Sequence, residues 1–463
     1  MIPTTKLVLP FALAGACLAS SAMAQEGSLS AAEAALLRAE LAGLKAKVET
    51  LERRLETAIG TPIAKVEATA PPDEASPPAK GQTEIGWKGS PQFVSDDRAF
   101  KVKGRIQADV GYVSSPPGLD DEAFGLASEF RRLRLGGEGA LGGGVGYKLE
   151  LELSDNSVDL VDTFVTFDAG RWLFTVGNHN AFQSLDELTG DTTGSVMERA
   201  AFTDAFNFER RLGVSAQRSS GAWLFQTGVF ADDVEALSNQ SDGPDGGDEN
   251  NSFSFDQRIV YAPRLGDTQL HLGASAHWRE LNRLAETPTR YRQRPYLHAN
   301  NSRVLATPAL DVDSEFNYGL EAALIRGRWH LAAETHWLQA NRPGQPDVTF
   351  FGGYGEIGYF LTRGDRRGYK DGQFGRANPA RPLDDGGAGS LQLNLRFDYL
   401  SLNDGPIQGG EQRGYLGALI WGLLPDLRLN FNYGYLQYQG AALGAEDRNY
   451  GAHVAAGRIE LDF

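Results

Sequence analysis

Phe100-Lys101-Val102-Lys103-Gly104-Arg105-Ile106-Gln107-Ala108-Asp109-Val110-Gly111-Tyr112-Val113 sets Phe100, Val102, Ile106, Ala108 and Val110 against Lys101, Lys103, Arg105, Gln107 and Asp109. Successive side chains of a strand point to opposite faces, so this period of two describes a strand with one greasy and one wet side. The pattern returns in Tyr147, Leu149, Leu151 and Leu153 against Lys148, Glu150 and Glu152. It returns again in Leu391, Leu393, Leu395, Phe397 and Tyr399 against Gln392, Asn394, Arg396 and Asp398. A further run sets Leu427, Leu429, Phe431, Tyr433 and Tyr435 against Arg428, Asn430 and Asn432. Such runs of about 10–14 residues exceed the ~5–6 usual in soluble sheets and suit a tilted membrane strand of about 9–11.

Tight turns such as Leu141-Gly142-Gly143-Gly144, Ala169-Gly170-Arg171 and Leu423-Leu424-Pro425-Asp426 interleave with long polar segments. Short turns at one rim and long loops at the other are the habit of an outer-membrane barrel. The fold expected is an all-β transmembrane antiparallel barrel of about 16 strands, an even number between about 16 and 18, over residues 100–463. The stretch from Asn282 to Ser314 does not declare its strands. A soluble β-sandwich or propeller explains neither the strand length nor the aromatic outer faces. The last segment, Gly457-Arg458-Ile459-Glu460-Leu461-Asp462-Phe463, alternates and finishes on an aromatic ring. Outer-membrane barrels end in this way, which makes Phe463 the expected handle for the barrel-assembly machinery.

Mean hydropathy is −0.33, as low as in soluble proteins, because alternation hides lipid-facing residues among polar ones. Lys6 followed by the apolar run Leu7 to Leu18 and by Ala22-Met23-Ala24 reads as a secretory signal, residues 1–24, too short to span a bilayer. A lipid-attachment box at Ala14-Gly15-Ala16-Cys17 is the competing reading; Cys17 is the only cysteine, so no disulfide is expected. Ala34, Leu37, Leu41, Leu44, Val48, Leu51 and Leu55 are spaced three and four apart, the seam of a short α-helical coiled coil over residues 25–59. A single amphipathic helix lying on another surface is the simpler alternative. Pro62, Pro71, Pro72, Pro77 and Pro78 make residues 60–99 a linker and lead-in. Net charge is −16, and −17 once Lys6 is removed with the signal, which argues against a nucleic-acid partner.

Glu129-Phe130-Arg131-Arg132-Leu133-Arg134-Leu135-Gly136 and Gly146-Tyr147-Lys148-Leu149-Glu150 resemble the second and third strands of the phosphate-selective porin O and P family. Val176-Gly177-Asn178, Ser184-Leu185-Asp186-Glu187-Leu188-Thr189, Met197-Glu198-Arg199 and Arg210-Arg211-Leu212-Gly213-Val214 extend the resemblance. So do Gly358-Tyr359-Phe360-Leu361-Thr362 and Leu402-Asn403-Asp404-Gly405, and an N-terminal coiled coil is usual in the family. The resemblance implies a homotrimeric outer-membrane porin of 16 strands whose loop after the fifth strand, here about His179 to Phe208, folds inward to narrow the channel. It also implies lysines at that constriction, and here the chain departs from the family. Asn180 stands where relatives often carry lysine, and no lysine occurs between Arg171 and Phe208. The segment offers Asp186, Glu187, Asp191 and Glu198 against Arg199.

A pore selects by the charges that line it. The basic candidates are Lys101, Lys103 and Arg105 on the first strand, Arg132 and Arg134 on the second, and Arg290, Arg292 and Arg294 two residues apart. They form either a ladder that draws small anions inward or a brace paired with Glu150, Glu152, Asp162 and Asp398; for Arg290 to Arg294 an outer-loop position is the third possibility. The acidic segment Asp232 to Asn251 reads as a solvated outer loop; holding Ca²⁺ or bridging to lipopolysaccharide through divalent ions is the alternative, and its spacing matches no calcium-loop motif. His271, His277, His330 and His336 point to the lumen at spacings that do not make a metal site. No nucleophile elbow, phosphate-cradling loop or dinucleotide fingerprint appears, so neither catalytic residues nor a cofactor are expected. The function expected is passive diffusion of small hydrophilic solutes, leaning to anions such as phosphate, through the outer membrane with the coiled coil in the periplasm. A general or cation-tolerant porin is the alternative within transport, and a barrel enzyme or an envelope tether lies outside it.

Overall fold

In the computed structural model the described residues are 83–463, apart from 117, 120–123, 155–156, 232–251, 282–287, 301 and 445–446. The expected signal, the coiled coil and most of the linker lie outside them, as does the acidic segment Asp232 to Asn251. Sixteen long strands occur among the described residues, within the expected range. They are β1 (Arg98–Val113), β2 (Gly125–Gly142), β3 (Val145–Glu152), β4 (Asp159–Ala169), β5 (Trp172–Asn180) and β6 (Arg210–Ser220). Then follow β7 (Trp223–Phe230), β8 (Phe253–Tyr261), β9 (Thr268–Glu280), β10 (Ser314–Arg326) and β11 (Trp329–Asn341). The wall is completed by β12 (Val348–Phe360), β13 (Ser390–Asp404), β14 (Ile407–Gly422), β15 (Leu427–Gln439) and β16 (Tyr450–Asp462). Each pairs antiparallel with its neighbour in sequence, and β16 pairs with β1 from Val454↔Val113 to Asp462↔Arg105, so the sheet closes on itself. A closed cylinder leaves no edge and satisfies every ladder hydrogen bond within the wall.

Closure is sealed at the rim by Gly104 and Phe463, whose backbone groups exchange two hydrogen bonds of 3.0 Å. The Phe463 ring lies over Gly104, where a Cβ would come within 2.2 Å of Cζ. Before β1, Glu84–Trp87 pairs with Pro91–Ser95, which pairs in turn with the start of β1.

The alternation read from the sequence becomes an outer face of exposed Leu126, Trp223, Phe255, Leu320, Phe397 and Tyr433. Aromatic rings stack across strands there, as Tyr318 does on Trp337 with centroids 5.3 Å apart. The inner face carries buried Asp256, Arg258, Glu321, Glu334, Asp398 and Glu460. Glycines at φ 62° (Gly143), 67° (Gly170), 60° (Gly221) and 56° (Gly327) form the tight turns of one rim, a backbone shape that suits twisted hairpins.

Two connections depart from the simple alternation of short and long. Residues 361–389 join β12 to β13 at the rim of tight turns, yet they fold back into the barrel. There the Tyr369 hydroxyl meets His271 Nδ1 at 2.6 Å and Arg258 Nη2 donates to the Gly372 carbonyl at 2.7 Å. From the opposite rim, described residues between 288 and 313 also turn inward, with Arg292–Gln293 paired to Leu305–Ala306. Their Tyr291, Leu297, Leu305 and Leu310 are fully buried in one cluster with Leu338, Phe350, Leu400 and Leu436 of the wall. Here apolar residues face inward, because the loop replaces water as their neighbour; each such side chain stabilises by about 1.5–3 kcal/mol.

Candidate functional site: the eyelet in the lumen

The connection from β5 to β6, residues 181–209, enters the lumen and carries α1 (Leu185–Leu188) and α2 (Ala201–Ala205). Ser184 caps α1, its hydroxyl accepting from Glu187 N at 3.1 Å. Helices of one turn do not persist alone, so the barrel must hold them. Glu334 on β11 accepts from Leu185 N at 2.9 Å and Asp186 N at 3.1 Å, and Asp398 on β13 accepts from Ala201 N at 3.1 Å. Arg396, also on β13, donates to Asp186 at 2.8 Å. Phe202 stacks on His336 at 4.7 Å and fills the hollow over Gly352, where a Cβ would lie 2.5 Å from its own. The loop is therefore fixed to the β11–β13 side and faces β1 and β2 across what remains of the lumen.

It meets that far wall through Asp191. Its carboxylate lies 2.5 Å from Arg105 Nη1, 2.5 Å from Arg132 Nε and 3.4 Å from Arg134 Nη1. Arg105 also meets Asp462 at 3.6 Å, Arg134 meets Glu152 at 2.7 Å, and Arg132 donates to Gln107 at 2.8 Å. Glu198 binds Arg458 at 2.7 Å and Arg131 at 3.5 Å, while Glu187 binds Arg199 at 3.1 Å. On the adjoining strands Asp162 pairs with Lys148 at 2.6 Å and with Arg210 at 2.7 Å. Burial alone would raise the Asp191 carboxyl, but the surrounding guanidiniums hold it well below the usual carboxylate range. Glu198 is likewise depressed against burial by Arg131 and Arg458. For Glu187 burial prevails over Arg199 and the pKa is raised.

Arg105, Arg132, Arg134, Asp186, Glu187, Asp191, Glu198 and Arg199, singled out from the sequence, thus come together at this inward loop. Lys101 and Lys103 lie nearer the rim beside Glu138, which Lys103 approaches at 3.9 Å. Asn180 ends β5 opposite Arg210, its amide oxygen buried and unpartnered. Arg290, Arg292 and Arg294 sit in the connection between β9 and β10 and not on a barrel strand. Arg290 and Arg292 are exposed, whereas Arg294 reaches Asp204 at 3.6 Å.

Arg131 is a member the alternation passes over. The register between β1 and β2 shifts so that Gln107 opposes Arg132 and Ala108 opposes Phe130, leaving Arg131 as an extra residue. Such a bulge re-aims a side chain, and Arg131 and Arg132 both turn to the lumen. The signal was the three-residue spacing of outward Phe130 and Leu133. Between the loops and the wall remains a cavity of about 230 Å³, lined by five arginines and five carboxylates. Inner side chains of β8–β16 such as Asp256, His336 and Asp398 are fully buried, whereas Lys101, Arg105, Lys148 and Arg210 keep partial exposure. Among the described residues no group of three or more His, Cys, Asp or Glu side chains converges as metal ligands would.

The model of a known family, phosphate-selective porin O and P, matches residues 100–463. An uncharacterized protein of Caulobacter vibrioides is 64% identical over 403 residues, covering 87% of this chain and 81% of its own. Among solved structures, the anion-selective porin from Comamonas acidovorans is 13% identical with TM-score 0.50, over 79% of this chain and 100% of its own. Pseudomonas putida OprB is 11% identical with TM-score 0.52, over 79% of this chain and 94% of its own. At that identity the likeness concerns the fold, and it is a porin fold. Sequence family, closed sixteen-strand wall and charged lumen agree: this is an outer-membrane β-barrel of the channel kind, a member of the phosphate-selective porin O and P family.

Proposed function

We propose that the barrel passes small hydrophilic solutes by passive diffusion with little preference for the sign of their charge. The observation that carries this reading is the pairing of Arg105, Arg132 and Arg134 with Asp191, a carboxylate the inward loop brings to the wall. A guanidinium already bound to a carboxylate offers a passing anion less than a free one. The lack of lysine between Arg171 and Phe208 supports the same reading. A second reading, preference for small anions such as phosphate, is favoured by the convergence of four guanidiniums, those of Arg105, Arg131, Arg132 and Arg134, on one wall. A barrel enzyme or a tether has no comparable observation in its favour.

Export by a cleaved segment 1–24, a periplasmic coiled coil that joins three copies, lipopolysaccharide around the outer loops, and assembly through Phe463 belong to the same proposal; the sequence pattern supports them. Purified protein in a planar bilayer tests the function. Stepwise conductance with a chloride-to-potassium permeability ratio near one is expected. A strong chloride preference with inhibition by dilute phosphate establishes the second reading, and a barrel that never conducts refutes both.

A further inference from the structure

The cavity beside the inward loop is balanced in charge and unfinished in hydrogen bonding. Its five arginines face five carboxylates, so an ion of either sign finds as much repulsion as attraction. Yet several lining groups have no partner. Gln293, 2% exposed, gives its amide nitrogen to the Arg294 carbonyl and leaves its amide oxygen unbonded. The Thr189 hydroxyl, 4% exposed, is likewise unbonded. Arg131 and Arg294 make only long ion pairs, through Nε, to Glu198 at 3.5 Å and to Asp204 at 3.6 Å, and neither Nε reaches hydrogen-bond geometry. A guanidinium can only donate and an amide oxygen can only accept, so these groups are complemented by a solute with both an acceptor and a donor. Buried groups left unsatisfied cost free energy, and the solute that satisfies them recovers it.

We infer that this cavity is a binding site for a small zwitterion, a solute carrying one carboxylate and one ammonium, as in a short amino acid. The carboxylate accepts from Arg131 on β2 and from Arg294; the ammonium donates to the Gln293 amide oxygen and the Thr189 hydroxyl. A three-carbon amino acid fits within about 230 Å³, the room of about eight waters. Being neutral overall, it meets no net field, while each end finds a complement that a singly charged or uncharged solute of the same size uses only in part. The inference rests on the porin reading and gives it a solute class.

Single channels of the full chain in potassium chloride are titrated with β-alanine and, separately, with lactamide, propionate and ethanolamine hydrochloride. β-Alanine should reduce the step current saturably, with half-effect at a concentration about tenfold below that of the other three. Gln293→Leu, which removes the free acceptor, should raise the half-effect concentration of β-alanine about tenfold, and Arg131→Gln should do the same from the opposite wall. Steps in the current of each variant report that it has folded and inserted. Stronger action by propionate or by ethanolamine overturns the inference in favour of an anion or a cation site, and equal action by all four reduces the cavity to an unselective hole. A wild-type protein that gives no steps at all refutes the porin reading itself, a result distinct from the others.

Discussion

Asp191→Asn probes the eyelet most directly, because it removes one charge and almost no volume. In the native protein three guanidiniums share that carboxylate. After the change Arg105 keeps Asp462 at 3.6 Å and Arg134 keeps Glu152 at 2.7 Å, but Arg132 keeps only the neutral Gln107 amide at 2.8 Å. Breaking a buried pair by removing one partner costs about 3–5 kcal/mol, and the remaining partners place this substitution at the lower end. That cost falls on the docking of the inward loop and not on the wall, so the barrel should still insert. For permeation, the lumen gains one uncompensated positive charge. An ion passing at about 5 Å in a water-like dielectric feels about 0.8 kcal/mol, attractive for chloride and repulsive for potassium. The two effects together raise the chloride-to-potassium permeability ratio about tenfold. Reversal potentials across a salt gradient measure this ratio, and the shift should shrink as the salt is raised, since screening shortens the reach of the charge. A ratio that stays put at low salt, or moves toward potassium, in a variant that still forms channels would mean that Asp191 does not face the permeation path.

Phe202→Ala removes the ring that stacks on His336 and should weaken loop docking by about 3–5 kcal/mol, visible as larger, noisier single-channel steps. Gly104→Leu places a side chain where the Phe463 ring lies and should lower the fraction of barrel that migrates as the folded, heat-modifiable band; adding Phe463→Ala should restore part of it. Acidification should titrate Glu187 before Asp191 and Glu198, raising the chloride-to-potassium ratio in a first step that Glu187→Gln erases. The raised Glu187 favours the docked loop at low pH and loses that contribution as pH rises through its folded value, whereas Asp191 and Glu198 contribute above the ordinary carboxylate range and lose it as pH falls through their depressed values.

The wall was legible because its cause is local. A strand turns each side chain over at every step, so Leu391 to Tyr399 and Gln392 to Asp398 announce their faces without reference to any distant residue. The inward course of Tyr291 to Leu297 and of Tyr369 to Phe374 has no such local cause. Tyr369 is positioned by His271 and Tyr291 by Glu315 and Phe350, partners that become neighbours only after the sheet has closed. Leu297 and Leu305 read in the sequence as loop residues with no periodicity, and their burial depends on a wall whose own inward positions turn apolar near that rim. Arg290, Arg292 and Arg294 illustrate the limit: spacing by two is as consistent with an irregular extended loop as with a barrel strand, and only the hairpin with Leu305–Ala306 decides between them.

The two inward segments also fix where a solute can pass. Arg367, from the rim of tight turns, donates to the Thr193 carbonyl of the β5–β6 loop, so material entering from opposite rims meets near mid-lumen. That loop is held to the other side by Glu334, Arg396 and Asp398, all buried. Other inward residues reach the first strands, His298 meeting Glu129 on β2 at 2.9 Å, so the lumen is narrowed from several sides around the charged cavity. A narrowed lumen makes the charges at the constriction count for more than the net charge of the protein. A chain at −16 can therefore carry a balanced eyelet, five arginines against five carboxylates.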